Sequence, residues 1–153
     1  MVARHILVPL DFSEPAKQAL EYAIELATIL QARLTLLHIV QTIPVAGGAG
    51  VGVGVALAGV MEQMEAEALQ TMEDHAQRVR QAGLACETAV VHGTPFQHII
   101  DMAGDKQVDL IVMGTHGHTG LQRFFLGSVA EKVVRLAPCP VLVTRAPDAP
   151  ADA

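Results

Sequence analysis

Short apolar runs rich in β-branched residues alternate along this chain with longer stretches of helical period. A parallel sheet covered by helices leaves that pattern in a sequence, because its inner strands are buried on both faces. Five runs have strand character: His5 to Leu10, Arg33 to Val40, Leu84 to Val91, Val108 to Met113 and Pro140 to Thr144. The segment Leu110-Ile111-Val112-Met113 carries no polar face at all, which puts it inside the sheet.

The intervening segments predict helices. Ala16, Ala19, Leu20, Ala23, Ile24, Ala27 and Leu30 recur at helical spacing with Lys17, Glu21, Glu25 and Gln31 opposite, and Ser13 stands where an N-cap belongs. Met61, Met64, Ala68, Met72, Val79 and Ala82 mark a second helix that stops before Gly83, with the methionines as core. Thr94-Pro95-Phe96-Gln97 has the form of a capping box with proline at the first helical position, and that helix runs to Gly104. A fourth starts near Ser128 and ends where Pro138 forbids it. Before the second helix, Val45 to Val60 is an uncharged run of 16 residues with six glycines. It is too short and too glycine-rich for a membrane span and is expected to be a mobile loop. Right-handed crossovers and short connections then favour one doubly wound sheet, with its ligand crevice beyond the carboxyl ends of the strands at the switch point.

Charge and composition narrow the partners. Ten Lys and Arg stand against 16 Asp and Glu, giving a net charge of −6, so nucleic acid is not expected. With no Trp and one Tyr, base-stacking platforms are missing too. Cys86 and Cys139 show no CxxC spacing and read as small core residues in a reducing, cytoplasmic setting. The opening Met1-Val2-Ala3-Arg4-His5 leads into an apolar run too short for a signal peptide.

The chemistry is expected where strands end. After the first comes Pro9-Leu10-Asp11-Phe12-Ser13. Asp11 has two readings there, a helix-capping acid favoured by the dipole or an acceptor for a base amine or ribose hydroxyl. After the fourth comes Gly114-Thr115-His116-Gly117-His118-Thr119-Gly120, followed by Gly127-Ser128 at the opening of a helix. Glycines that turn N–H groups outward beside a helix N-terminus make an anion site, whereas simple turns with Ser128 and Glu131 as a capping box would use the same residues. Neither GxxxxGK[ST] nor GxGxxG occurs, and Ser13 and Ser128 lie outside any GxSxG. His116, His118, His92 and His98 lack a third ligand at metal spacing, so no metal site is assigned to them. Exposed loop histidines are the commoner case, with a phosphate contact as the minority role for His118; Arg123 and Lys132 could also neutralise phosphate charge, although a solvated helix face accounts better for Lys132.

Gly114-x2-Gly117-x9-Gly127-Ser128 resembles the G-x2-G-x9-G-[ST] nucleotide motif of the universal stress protein family, and Ile6-Leu7-Val8-Pro9-Leu10-Asp11-Phe12-Ser13 resembles its first strand and turn. Leu37-His38-Ile39-Val40, Asp109-Leu110-Ile111-Val112-Met113 and Pro138-Cys139-Pro140-Val141-Leu142-Val143 extend the likeness over nearly the whole chain. It departs at Val45 to Val60. The resemblance implies a single-domain α/β open sandwich of the flavodoxin-like or adenine-nucleotide α-hydrolase-like kind, with five parallel strands ordered 3-2-1-4-5 and helices on both faces. Residues 1–146 would form the domain and 147–153 a flexible tail. It also implies binding of ATP, or of AMP or ADP, with Mg²⁺ beside the phosphates. Asp11, with backbone at Pro9 and Val40, would form the adenine and ribose side of the site, and Gly114, Gly117, Gly127 and Ser128 the phosphate side, with Leu10, Met113, His118 and Val129 also expected to bind the nucleotide. Members without the full glycine motif are taken not to bind ATP, and every motif position is kept here. A homodimer through the C-terminal edge strand and a role as a nucleotide-dependent switch in stress response follow from the same likeness. The alternative on this fold is a slow ATP hydrolase or adenylyl-transfer enzyme, but only His116, His118 and Thr119 stand near enough to serve it, so weak ATPase activity at most is expected.

Overall fold

A computed structural model describes residues 2–42, 50–115 and 126–145. Five parallel strands, β1 (His5–Pro9), β2 (Arg33–Val40), β3 (Cys86–His92), β4 (Leu110–Gly114) and β5 (Val141–Thr144), lie in the order β3-β2-β1-β4-β5. Among the described residues four helices link them: α1 (Glu14–Leu30), α2 (Val51–Gln81), α3 (Pro95–Asp105) and α4 (Ser128–Leu136). The chain steps from β1 outward to β3, then crosses back and continues through β4 to β5, which places the switch point between β1 and β4.

Alternation along the strands divides the core in two. Ile6, Val8, Leu34 and Leu36 point to one face, where α1 and α2 cover them with Ala19, Leu20, Ala23, Met72, Ala76 and Val79. Leu7, Leu37, Ile111 and Met113 point to the other, under Ile99 and Ala103 of α3 and Ala130 and Val133 of α4. The alanine stripe of α1 brings its backbone close to the sheet, and Gly114 shows how close. A Cβ there would lie 2.9 Å from the carbonyl oxygen of Pro15, nearer than real contacts allow.

Four sequence expectations change. The run expected to be a loop is helical from Val51, so α2 is 31 residues long, and the rest of that run, 45–49, lies outside the described residues. Helix elongation is much cheaper than nucleation, and Leu57, Met61, Glu65, Ala68 and Met72 continue one stripe back from the buried half, so the glycines are carried by the helix they extend. Thr94 does occupy the N-cap of α3, but its side chain makes no capping bond and Gln97 instead donates to Asp101. Ser128 is the first helical residue of α4, with Gly127 at the N-cap and no side-chain cap, and Glu131 pairs with Arg135. Val40, placed at the site by resemblance, does not line it, as described below.

Candidate functional site

Beyond β1 the chain makes a turn held from several sides. The Leu10 N–H continues the ladder to the Leu37 carbonyl at 2.8 Å, while the Leu10 carbonyl accepts from Nδ1 of His38 at 2.7 Å. Asp11 is exposed, and its Oδ1 accepts from the Ser13 N–H at 3.0 Å and from the Ser13 hydroxyl in a very short contact. The same hydroxyl accepts from the Ala16 N–H at 3.3 Å, so Ser13 caps α1 as its position predicts and also fixes the carboxylate two residues back. The capping reading of Asp11 is the one these bonds bear out. The carboxylate belongs to the cap, through Ser13, and it stands at the mouth of the sheet.

Beyond β4 the chain leaves at Thr115 and returns at Gly127. The Thr115 N–H reaches the Thr144 carbonyl at 3.1 Å, and the Thr115 carbonyl accepts from the Gly127 N–H at 2.7 Å. That closure sets the N-terminus of α4 beside the end of β4. The first N–H groups of a helix have no partner within it, and here they carry the positive end of the dipole toward the space above β1 and β4.

This space is a cavity of about 400 Å³, within the usual range for small-molecule sites. Leu10, Ile39, Pro95, Ile99 and Met113 give it apolar walls, and Asp11, Gln41, Thr115 and Ser128 bring polar side chains to it. Pro9, Gly114, Gly127, Val129, Ala16 and Ala130 complete the described lining. Among these residues Asp11 alone is ionisable and none is cationic.

Of the residues expected at the site, Pro9, Leu10, Asp11, Met113, Gly114, Gly127, Ser128 and Val129 come together here. Val40 does not: it is buried, its carbonyl accepts from the Gly93 N–H at 3.0 Å, and its neighbours Ile39 and Gln41 face the cavity in its place. Gly117 and His118 lie outside the described residues, as do His116 and Arg123. Lys132 sits with its ammonium 4.6 Å from the centre of the Phe96 ring and does not line the cavity. Among the described residues no cluster of three His, Cys, Asp or Glu could hold a metal ion, and no helix is long and apolar enough to cross a membrane. Gln41 and Pro95 are not assigned to the site by the sequence reading, although they follow β2 and β3, where the same strand-end rule applies. Ile99 and Ala16 were hidden among core positions.

The family model for the universal stress protein family matches residues 3–145. The chain belongs to the universal stress protein family. It is 35% identical to universal stress protein MJ0531 of Methanocaldococcus jannaschii over 94% of this chain and 83% of the relative. The solved structure of MJ0577 from the same organism is 30% identical, covers 97% of this chain and 100% of its own, and superimposes with a TM-score of 0.85. Two more distant universal stress protein structures carry nucleotides. One is in complex with cAMP (20% identity, TM-score 0.70, covering 95% of this chain and 98% of its own). The other, from Arabidopsis thaliana, has AMP bound (20% identity, TM-score 0.68, covering 97% and 96%). At that identity the likeness to this chain is one of fold.

Proposed function

We propose that this universal stress protein binds an adenine nucleotide, ATP by preference, in the cavity above β1 and β4, and acts as a nucleotide-dependent switch in the cytoplasm. The observation that carries the reading is the convergence, on one cavity at the switch point, of the α4 N-terminus, the Asp11 carboxylate and an apolar cleft. Leu10, Ile39, Ile99 and Met113 desolvate a flat base, and Asp11 accepts from the base amine or a ribose hydroxyl. The N–H groups of the first turn of α4, with the Ser128 hydroxyl, donate to phosphate oxygens. No described lining residue is cationic, so Mg²⁺ is assigned the neutralisation of triphosphate charge, aided by Gly117 and His118 on the motif's phosphate side. The same lining gives no described general base beside the phosphate end, which supports binding with at most very slow hydrolysis.

Titration calorimetry with Mg²⁺-ATP and AMP tests this, with two glycine variants that separate site from scaffold. Gly127→Val sets a branched side chain at the mouth of the α4 N-terminus and is expected to abolish binding with unchanged circular dichroism. Gly114→Ala drives a Cβ to 2.9 Å from the Pro15 carbonyl and is expected to lower stability by about 1–3 kcal/mol. A parent protein that binds neither nucleotide, or full affinity in Gly127→Val, overturns the reading. Several turnovers per minute of ATP would overturn the non-enzymatic role.

A further inference from the structure

Phe12, between the carboxylate and the cap, has a φ of 64°, left-handed backbone that a bulky residue adopts only when its surroundings impose it. Its ring lies almost parallel to the His38 imidazole, with centroids 4.2 Å apart at 14°. The His75 ring is stacked on it at 6.1 Å and 21°. A carbonyl oxygen can only accept, so the bond from Nδ1 of His38 to the Leu10 carbonyl places the proton on Nδ1 and ties the stacked imidazole to the residue before Asp11. Two distant elements, β2 through His38 and α2 through His75, therefore hold the turn around Asp11 from one side while Ser13 holds it from the other. Phe12 is half-buried against the α1/α2 side of the core and does not line the cavity.

We propose that Phe12 is a positioning residue for the nucleotide site: its stack on His38 and His75 holds the left-handed turn that presents the Asp11 carboxylate at the cavity mouth. The inference rests on the nucleotide-binding role given to Asp11 above. A preset acceptor costs no ordering when the ligand arrives, whereas glycine at the same position samples both hands of the backbone and leaves that ordering to be done on binding.

Calorimetry with Mg²⁺-ATP on the full chain, beside melting of the nucleotide-free protein, decides it. Phe12→Tyr keeps a ring that stacks and should bind within about twofold of the parent. Phe12→Gly should weaken binding about tenfold, and so should His38→Ala, which removes the stack from another element and guards against a variant that fails to fold. In an Asp11→Asn background, itself weaker by about tenfold or more, Phe12→Gly should change affinity by less than about twofold, because the ring acts only through the carboxylate. Lower melting with parental affinity would show that the ring serves the fold alone, and equal losses in both backgrounds would show that it does not act through Asp11. Either result overturns the positioning role. If the parent binds ATP and Asp11→Asn does not weaken it, the role of Asp11 falls and this inference with it. A parent that binds no ATP overturns the nucleotide reading as a whole.

Discussion

His5 is 3% exposed at the N-terminal end of the sheet, and its neighbours dictate its proton. Arg33 can only donate, so its contact to Nδ1 at 3.1 Å leaves the proton on Nε2, which donates to the Thr35 hydroxyl at 2.7 Å. Burial, then the Arg33 charge, holds the His5 pKa below its ordinary 6.5. His75 is lowered in the same direction, by burial first and by Arg78 and Lys17 after it. The unfolded chain therefore binds more protons than the folded one just below pH 6.5, and stability that is fully present above that value is lost as pH falls through the depressed folded values. Glu87 and Asp109, both lowered from ordinary values of 4.5 and 3.8, lose their contributions only in a more acidic window. Melting of the nucleotide-free protein should thus drop between about pH 7.5 and about pH 5.5, and less so in His75→Gln. A flat profile across that range would contradict the lowering of both histidines. Burial also pushes the Cys86 thiol up to about 11 and raises Cys139, so both are protonated near neutral pH; each is half-buried and packs against a core cluster, not inside it as the sequence suggests.

At the scale of elements, α2 parts company most clearly with its sequence. Gly52, Gly54 and Gly59 have nothing within 4 Å of a Cβ built on them, so alanine fits each position and favours the helix by about 0.5–1 kcal/mol per site. Gly59→Ala should raise the melting temperature by about 2–4 °C. A lower melting temperature would mean that this stretch is either not helical or packed closely on another surface. Glycine and β-branched valine both disfavour helix locally, which is why nothing in the run itself announced one. Strands and α1 were legible for the opposite reason, since local propensity and burial pattern agree in Leu110-Ile111-Val112-Met113 and in the alanine stripe of α1. Ser13 was legible as a cap because a hydroxyl before Pro15 has few other roles. The start of α4 at Ser128 was legible, but not that Gly127, held by a bond to Thr115, takes the N-cap and leaves the Ser128–Glu131 capping box unmade. The site was half legible for a related reason. Asp11 and Gly114 follow strands directly, but Gln41, Pro95 and Ile99 join them only once the strand order brings four strand ends together and α3 packs across them.

For the whole molecule the two sheet edges pose different problems. β3 carries Glu87, Thr88 and His92 exposed along its length, with Glu87 paired to Lys106 at 2.8 Å, so that edge is guarded by charge. β5 offers Val141-Leu142-Val143 with no charge before Arg145, and an apolar edge of this kind invites another strand. A two-fold axis beside β5 would satisfy both copies at once by antiparallel pairing. The register says which residues would do it. The carbonyls of Pro140 and Thr144 accept from Ile111 of β4 and from Thr115 just beyond it, so the even-numbered residues face β4 and the backbone groups of Val141 and Val143 face outward. Val143→Pro removes one outward N–H and leaves the β4 ladder intact, and proline is tolerated on an edge strand. The parent is expected to scatter light as a homodimer at micromolar concentration, and Val143→Pro as a monomer with the same circular dichroism. A monomeric parent would reject the pairing outright. A dimer that survives Val143→Pro would move the interface away from β5, with the uncharged first turns of α2, where Val51 and Val55 are 87% and 69% exposed, as the next surface to block.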